Sequence, residues 1–307
     1  MKKILITGAL GFIGRTLLET LIYQHPEMEI FGIDIKEAPL EFLEQNKSVH
    51  IETIDIRNKK AVKEFICDNR FDGIIHLAAI SRVIDAEFNK SNCIETNYLG
   101  TKNIVEAIAD KQESWFIFGS SREVYGEQIS MPVSEDAELL PLNIYGFYKL
   151  ESERFIRNNI KRHCILRFSN VYGNKYDIPG RVIPHFVQTA IDGGEIVLEG
   201  GQQMIDFTHI SDTVYSIIRC MEFFEIGRIS QETIHISPGI ENKITDIIDI
   251  LYGCGYEFAV KKRESRSYDV QRFVGNPAKR IKIIGNHQFL DLRQGIHELL
   301  KQYDVLD

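Results

Sequence analysis

The stretch "KILITGALGFIG", residues 3–14, decides the fold that this chain is expected to adopt. Its apolar start, residues 3–7, leads into Gly8, Gly11 and Gly14, a GxxGxxG pattern that opens a helical pattern. Glycine allows a tight turn with a positive φ and lets the backbone approach a phosphate group closely. The first turn of a helix adds unpaired N–H groups and the positive end of a dipole. The stretch therefore predicts a strand, a phosphate-binding turn and a helix.

An acidic residue at the end of the next apolar run extends this interpretation. Asp34 closes "EIFGID" (29–34) and lies twenty residues after Gly14. A carboxylate there can accept hydrogen bonds from both ribose hydroxyls of an adenosine and repels a 2′-phosphate. We therefore expect a dinucleotide site that prefers NAD; Lys36 keeps NADP possible, and a plain tight turn is the alternative. Asp55, after the third apolar run, is expected either to contact the adenine or to cap a helix.

Apolar runs and helical patterns alternate through the first 170 residues. Six runs have the continuous apolar character of buried parallel strands, namely 3–7, 29–34, 49–54, 73–78, 115–120 and 163–168. Helical patterns lie between them at 12–24, 58–69, 93–111 and 146–161. The alternation predicts an α/β fold with a doubly wound, Rossmann-like parallel sheet.

After about residue 170 the pattern becomes irregular. Helical patterns recur near 182–192, 211–223, 243–252 and 291–303. A further apolar run, "TIHIS" (233–237), is expected to return to the main sheet as a strand. We expect residues 1–170 to form the NAD-binding domain and residues 171–307 a smaller, mainly helical substrate-binding lobe packed against it.

Composition excludes several classes of protein. The chain has 307 residues and a net charge of −8, and its basic residues are spread out, which argues against a nucleic-acid or anionic-membrane surface. No stretch approaches the length of a membrane span. The cysteines are widely spaced and form no CxxC pair, at positions Cys67, Cys93, Cys164, Cys220 and Cys254. They predict reduced thiols in a cytoplasmic protein, with neither a disulfide framework nor a metal site.

Two further stretches carry chemistry. In "YGFYK" (145–149), Tyr145 and Lys149 are spaced to share one face of a helix. A free tyrosine has a pKa of ~10, and nearby lysine and nicotinamide cations would favour its phenolate. Tyr145 could then take a proton from a substrate hydroxyl as hydride leaves the same carbon, whereas the alternative is a surface helix pair. In "SSREVYG" (120–126), Ser121 would hold the substrate oxygen at the carboxyl end of a strand.

Taken in order, the motifs resemble those of extended short-chain dehydrogenases/reductases of the nucleotide-sugar epimerase/dehydratase family. The matching stretches are "TGALGFIG" (7–14), "HLAAI" (76–80), "NYLGT" (97–101), "SSREVYG" (120–126), "YGFYK" (145–149), "RFSNVYG" (167–173), "GGQQMIDFTHISD" (200–212) and "RSYD" (266–269). The resemblance implies an NAD-dependent enzyme that oxidises a sugar carbon, usually C4, of a nucleoside-diphosphate sugar. It also implies a homodimer formed through the helices near 93–111 and 146–161.

The resemblance assigns roles to individual residues. It makes Ser121, Tyr145 and Lys149 the catalytic trio. Besides Tyr145 and Lys149, the implied cofactor contacts are Gly8, Gly11, Phe12, Ile13, Gly14, Asp34, Ile35, Asp55, Ile56, Leu77, Ala78, Ala79, Asn97 and Phe168. Besides Ser121, the implied substrate contacts are Ser81, Arg82, Arg122, Asn170, Arg266 and Asp269. A solvated charge within "KKRESR" is the alternative interpretation of Arg266.

The chain departs from the family pattern at Ile205 and at Ile144. Ile205 stands where the family commonly has an arginine before "DF", so a phosphate contact is missing. Arg266, Arg181 or Arg272 must then bind more of the diphosphate. Ile144 replaces a frequent proline before the active-site tyrosine, which is expected to alter only the rigidity of the turn.

A third departure concerns the reaction. In the 4,6-dehydratases of the family, an acidic pair follows the Ser/Thr: one member protonates the departing C6 hydroxyl and the other removes the C5 proton. Here Arg122 replaces the acid, and an arginine stays protonated, while Glu123 keeps the base position. We expect C4 epimerisation through a 4-keto intermediate, with Glu123 structural. The alternative to epimerisation is a dehydratase or decarboxylase in which Glu123 acts as the base at C5. A non-catalytic NAD-binding regulator is disfavoured because Tyr145 and Lys149 are present.

Overall fold

The computed structural model describes residues 2–109, 113–266 and 268–303 of the chain. Within these residues, the main sheet has seven parallel strands. In spatial order they are Gln231–Ile236, His163–Phe168, Trp115–Ser121, Gly73–His76, Lys3–Thr7, Glu29–Asp34 and Val49–Thr53. The winding direction reverses between Lys3–Thr7 and Gly73–His76, and ligand crevices form at the carboxyl ends of strands at such a switch point.

The predicted sheet is confirmed, including the strand expected near residues 233–237. That strand spans Gln231–Ile236 and pairs with His163–Phe168 at the edge of the sheet. The predicted strand at 73–78 ends earlier, at His76, because residues 77–79 turn away to line a cavity. The pattern at 93–111 is divided into the elements Lys90–Cys93, a π-helix at Ile94–Gly100 and a helix at Thr101–Ile108, and its residues 110 and 111 lie outside the described ranges.

The described helices cover both faces of the sheet and build the second lobe. Besides the three elements of the region 90–108, they are Phe12–Gln24, Leu40–Gln45, Lys59–Asn69, Val83–Phe88, Ile144–Asn159, Val182–Ile191, Ile210–Glu225, Ile244–Gly253, Ala278–Ile284 and Leu292–Lys301, with a 3₁₀ turn at Arg122–Val124. None of the helices in the part of the chain that the structure describes is long and apolar enough to cross a bilayer.

One helix from beyond residue 170 packs on the main sheet and shares its apolar core. Ile210–Glu225 packs beside the first helix, and its Phe224 stacks on Trp115 with ring centroids 5.7 Å apart. The helix therefore returns to the sheet together with the strand that follows it. The main sheet therefore contains residues from both sides of the predicted domain boundary at residue 170.

Among its described residues, the second lobe has its own apolar core and three small sheets. Its core is formed by residues such as Phe186, Ile247, Leu251 and Ile296 from the helices Val182–Ile191, Ile244–Gly253 and Leu292–Lys301. The small sheets pair Asn170–Tyr172 with Phe207–His209, Glu195–Glu199 with Ala259–Arg263, and Met204–Ile205 with both Asn242–Lys243 and Arg272–Phe273. Strands of two to five residues give almost no periodic signal, so the sequence predicted mainly the helices.

A buried carboxylate connects this lobe to the main sheet. Asp206 is fully buried, and its Oδ2 accepts hydrogen bonds from the backbone N–H groups of Gly239 and Gly275 at 3.1 and 3.2 Å. The hydroxyl of Ser237, just beyond the last sheet strand, donates to the same oxygen. Burial raises the pKa of Asp206 to about 7, because the charged form loses water that these donors replace only in part.

We expect Asp206 to make stability depend on pH. Its pKa in the folded chain lies above the ordinary value of 3.8, so its protonated form stabilises the fold, and this contribution is lost as the pH rises through about 7. In Asp206→Asn the side chain does not ionise. The free energy of unfolding of the variant minus that of the wild type should increase by about 2–4 kcal/mol between about pH 4 and about pH 8. Urea denaturation across this range measures it, and a difference that stays constant with pH would contradict the prediction.

Candidate active site

The glycine turn brings two segments of backbone unusually close together. Gly8 has a φ of 68°, and a Cβ placed on it would lie 2.8 Å from the backbone of Ala78. A Cβ on Gly14 would lie 2.1 Å from the carbonyl oxygen of Gly8. Only glycine fits at these two positions. The helix Phe12–Gln24 can therefore begin directly over the strand ends, with its first N–H groups beside the cavity.

Asp34 is held in place at the end of its strand. Its Oδ2 accepts a hydrogen bond from the N–H of Leu10 at 2.9 Å, and its Oδ1 accepts one from the N–H of Lys36 at 3.1 Å. The carboxylate therefore lies beside the glycine turn, as the ribose contact requires.

Asp55 also lines the cavity, and it is not a helix cap. Its carboxylate lies 2.6 Å from Arg57, and the hydrogen bond from Arg57 holds the pKa of Asp55 below its ordinary value. The residue that caps the next helix is Asn58, whose side chain accepts from the N–H of Ala61. The adenine contact therefore stays a prediction, while the alternative of a helix cap is excluded.

A cavity of about 900 Å³ extends from the glycine turn to the second lobe. With one exception, all the residues that the sequence assigned to cofactor, substrate or catalysis line it. The exception is Asn97, which is buried and exchanges two hydrogen bonds with the backbone of Ile80, at 2.8 and 3.0 Å. Asn97 thus fixes the loop that follows the strand Gly73–His76, and both polar atoms of its side-chain amide are hydrogen-bonded to that loop.

The three residues assigned to catalysis lie together in this cavity. Tyr145 and Lys149 lie on the helix Ile144–Asn159, which Asn143 caps, and Ser121 ends the strand Trp115–Ser121. Lys149 Nζ donates a hydrogen bond to the carbonyl oxygen of Gly119 at 2.7 Å and lies 5.9 Å from the centroid of the Tyr145 ring. Strand and helix therefore bring the hydroxyl, the phenol and the ammonium group to one wall.

The electrostatics of this wall are dominated by desolvation. Burial lowers the pKa of Lys149 to about 8 and raises the pKa of Tyr145 to about 12. A hydrogen bond with Ser121 and the positive charge of Arg181 act on Tyr145 in the opposite direction, but they are smaller. Tyr145 therefore keeps its proton at neutral pH in the ligand-free chain. The phenolate expected from the sequence, which depends on a nicotinamide cation as well as on Lys149, stays a prediction.

Arg122 and Glu123 form a buried ion pair in the 3₁₀ turn after Ser121. Arg122 Nη2 lies 2.9 Å from Glu123 Oε1, and Arg122 Nε donates to Asn170 Oδ1 at 2.8 Å. The other carboxylate oxygen, Glu123 Oε2, accepts a hydrogen bond from Asn143 Nδ2 at 2.7 Å. Both oxygens of Glu123 are thus engaged, and the pair is tied to the residue that caps the helix of Tyr145.

Of the three arginines considered as replacements for a phosphate contact at Ile205, two line the cavity. Arg181 donates to Ser81 Oγ at 2.9 Å. Arg266 lines the cavity and pairs with Asp269 at 2.9 Å and with Glu199 at 3.3 Å, and its contact with the diphosphate stays a prediction. The third, Arg272, pairs with Glu241 and is not among the cavity-lining residues.

Arg263 and Asp177 are among the charged residues of the cavity that the sequence analysis missed. Arg263 ends the strand Ala259–Arg263 and lines the cavity from the second lobe. Asp177 is buried and accepts from the N–H of Ile178, and burial raises its pKa to about 6. The run "KKR" at 261–263 was a signal for Arg263, whereas Asp177 lies in a loop that has no periodic pattern to reveal it.

Comparison with known proteins identifies the family. The model of the NAD dependent epimerase/dehydratase family matches residues 4–233. The chain belongs to this family. Its cofactor is NAD, and the chain is an enzyme of this family.

Several relatives are similar over most of their length. A UDP-N-acetyl-alpha-D-glucosaminuronate decarboxylase of Bacillus cytotoxicus is 32% identical over 262 residues, which cover 80% of this chain and 78% of the relative. A putative UDP-glucose 4-epimerase of Methanocaldococcus jannaschii is 28% identical and covers 97% of both chains. The crystal structure of UDP-glucuronic acid 4-epimerase from Bacillus cereus, in complex with UDP-glucuronic acid and NAD, has a TM-score of 0.88 at 27% identity and covers 99% of this chain and 98% of that one.

We expect Asp34 to set the preference for NAD over NADP. Replacing it in Asp34→Ala removes the acceptor for the ribose hydroxyls and the charge that repels a 2′-phosphate, so the ratio of the two affinities should fall by about 10-fold or more. Titration of cofactor fluorescence measures both affinities. Glu37→Ala, which removes an exposed carboxylate from the loop after the same strand, is the control and should leave the ratio unchanged. Equal affinities of the wild type for NAD and NADP would contradict the assignment.

Proposed function

We propose that the chain epimerises C4 of a nucleoside-diphosphate sugar through a transient 4-keto intermediate. The observation that carries this proposal is the engagement of both Glu123 oxygens, by Arg122 and Asn143, next to an intact Tyr145 and Lys149. A dehydratase needs a free acid and a free base near C5 and C6. Epimerisation needs only the oxidation of C4 and its reversal from the opposite face of the sugar.

The residues have simple roles in this reaction. The glycine turn and Asp34 would hold NAD, which would supply an acceptor for the C4 hydride and a donor for its return. Ser121 Oγ holds the C4 oxygen, and Tyr145 Oη accepts the proton of that hydroxyl and gives it back after the sugar has turned. Tyr145 keeps its proton in the ligand-free chain, so the phenolate that receives the proton would need two positive charges near it: Lys149, anchored on Gly119, and the nicotinamide cation of bound NAD. No hydride and no proton is gained or lost overall.

A decarboxylase or dehydratase is the second candidate, because one of the relatives above is named as a decarboxylase. Either reaction would begin with the same oxidation of C4. Glu123 would then have to leave Arg122 and Asn143 to act at C5. A non-catalytic NAD-binding regulator is the least favoured candidate, since the cavity retains all three residues assigned to catalysis.

The proposal also includes a homodimer in the cytoplasm. The helix Ile144–Asn159 packs against the π-helix Ile94–Gly100, and this pair exposes Phe147 and Leu99 by 44% and 42%. A second copy of the same helices would bury these apolar side chains. All five cysteines are free thiols, which suits a reducing compartment.

Incubation with a panel of nucleotide sugars in D₂O tests the reaction. An epimerase that moves only hydride should convert a substrate to its C4 epimer with no deuterium on the sugar carbons, as read by NMR. Deuterium at C5 that disappears in Glu123→Gln would overturn the proposal in favour of the second candidate. Tyr145→Phe is the control for the start of the reaction, and it should lower turnover by ~10² or more while NAD binding changes little.

We expect Phe147 to contribute to the dimer. Phe147→Glu places charges against each other across the proposed interface, so the variant should have the mass of a monomer in light scattering at concentrations where the wild type is a dimer. Glu298→Ala, a change of an exposed charged residue on the helix Leu292–Lys301, away from the proposed interface, is the control and should remain dimeric. A wild-type chain that is monomeric throughout would contradict this part of the proposal.

A further inference from the structure

His76 is a buried imidazole at the point where the winding of the sheet reverses. It ends the strand Gly73–His76, only 1% of it is exposed, and Thr7 and Phe118 are paired with it on the two neighbouring strands. Both ring nitrogens are engaged: Nδ1 lies 2.6 Å from Thr7 Oγ1, and Nε2 lies 2.9 Å from Thr101 Oγ1. The resemblance to the family assigned no role to His76, Thr7 or Thr101, although all three lie in the stretches that carry it.

The contacts of Thr101 fix which ring nitrogen carries the proton. Thr101 Oγ1 lies 2.7 Å from the backbone carbonyl oxygen of Asn97, and a carbonyl oxygen can only accept. The single hydroxyl proton of Thr101 is therefore donated to Asn97. Thr101 must then accept its other hydrogen bond from His76, so the imidazole proton lies on Nε2.

The contacts on the other side of the ring agree with this tautomer. The backbone N–H of Ala78 donates to Thr7 Oγ1 at 3.2 Å, which leaves the hydroxyl proton of Thr7 for the unprotonated Nδ1 of His76. Burial and, to a smaller extent, the charge of Lys149 lower the pKa of His76 to about 3, so the ring is neutral at physiological pH. Donors and acceptors therefore follow one direction from Ala78 through the ring, and such buried chains of hydrogen bonds reinforce one another.

The two ends of this chain of hydrogen bonds lie on the two halves of the site. At one end, Ala78 belongs to the loop that meets the glycine turn and lines the cavity. At the other end, the carbonyl oxygen of Asn97 also accepts from Ser152 Oγ at 2.9 Å. Ser152 lies three residues after Lys149 on the helix Ile144–Asn159. His76 therefore links the loop of the cofactor cavity to the helix of the Tyr–Lys pair.

We propose that His76, as the neutral tautomer with its proton on Nε2, is a positioning residue for hydride transfer. Through Thr7 it holds the loop that meets the cofactor, and through Thr101 it holds the helix that carries the Tyr–Lys pair. A charged ring would be a second buried cation beside Lys149 and would disfavour the charged form of that lysine. The cofactor half of this inference rests on the use of NAD, and the catalytic half rests on the proposed function.

The tautomer is tested on the wild-type protein with NAD bound. Nitrogen NMR of the isotope-labelled protein, with the ring of His76 assigned through its own side-chain carbons, should show an unprotonated Nδ1 and a protonated Nε2. Both signals should stay unchanged between about pH 5 and about pH 8, where an ordinary histidine titrates. A proton on Nδ1, or a ring that gains a second proton in this range, would overturn the inference.

Two threonine variants separate the two halves. Thr7→Val removes the acceptor of the Ala78 N–H, so NAD affinity should fall by about 5- to 10-fold while kcat at saturating NAD changes little. Thr101→Val breaks the link to the catalytic helix, so kcat should fall by about 10-fold while NAD affinity changes little. Thr245→Val, on the helix Ile244–Gly253 of the second lobe, is the matched control and should change neither. Calorimetry measures NAD affinity, and NMR of the sugar products measures turnover.

Two variants of His76 test the ring itself. His76→Phe keeps a ring of similar size but offers neither nitrogen, so NAD affinity and kcat should both fall. The side-chain amide of His76→Gln can donate to Thr101 in place of Nε2, so kcat should recover in part while NAD binding stays weak. If His76→Phe does not fold, the two threonine variants, which keep the ring, decide the question.

The outcomes distinguish the inference from the function beneath it. If Thr7→Val and Thr101→Val lower NAD affinity and kcat alike, or change neither, His76 serves only the stability of the sheet and the inference is wrong. If the wild type turns over no nucleotide sugar, the proposed function fails and the catalytic half of the inference fails with it. The tautomer and the effect of Thr7→Val on NAD affinity then still decide the cofactor half.

Discussion

The close approach of Gly8 to Ala78 is the constraint on which the rest of the site depends. The turn after the strand Lys3–Thr7 and the loop after the strand Gly73–His76 meet through backbone atoms, with no space for a side chain at Gly8. This contact lies where the winding of the sheet reverses, so the crevice at the strand ends stays open on both sides of it. The same contact places Asp34 on one side and the wall that carries Ser121, Tyr145 and Lys149 on the other.

The side-chain amide of Asn143 links the helix of Tyr145 to the turn that carries Arg122 and Glu123. Asn143 caps the helix of Tyr145 through the N–H of Gly146 at 2.8 Å, and with its other end it holds Glu123. Glu123 in turn holds Arg122, which is held by Asn170 on the next strand segment. Tyr145 and Arg122 are therefore positioned by one continuous set of hydrogen bonds, in a buried region where an unpaired member would be costly.

The sequence allowed the sheet and most of the cavity wall to be predicted, because both depend on local patterns. Buried parallel strands are continuous apolar runs, and the motifs at Gly8, Ser121 and Tyr145 follow strand ends at fixed spacings. The partners of side chains were not predictable in this way. Asn97 serves the loop at Ile80, and Asp55 pairs with Arg57, because these choices depend on which neighbours the fold brings close. Burial decided the pKa of Tyr145 in the ligand-free chain, and burial cannot be read from a five-residue motif.

The return of Ile210–Glu225 and Gln231–Ile236 to the sheet has a consequence for how such proteins can diversify. The segment from residue 170 to residue 209 leaves from one sheet strand and comes back beside it, so it is an excursion whose two ends are anchored on the same scaffold. Excursions of this kind tolerate changes in length because the entropic cost of closing a loop grows slowly with its size. Evolution can therefore reshape this excursion while the sheet and its cofactor crevice remain fixed.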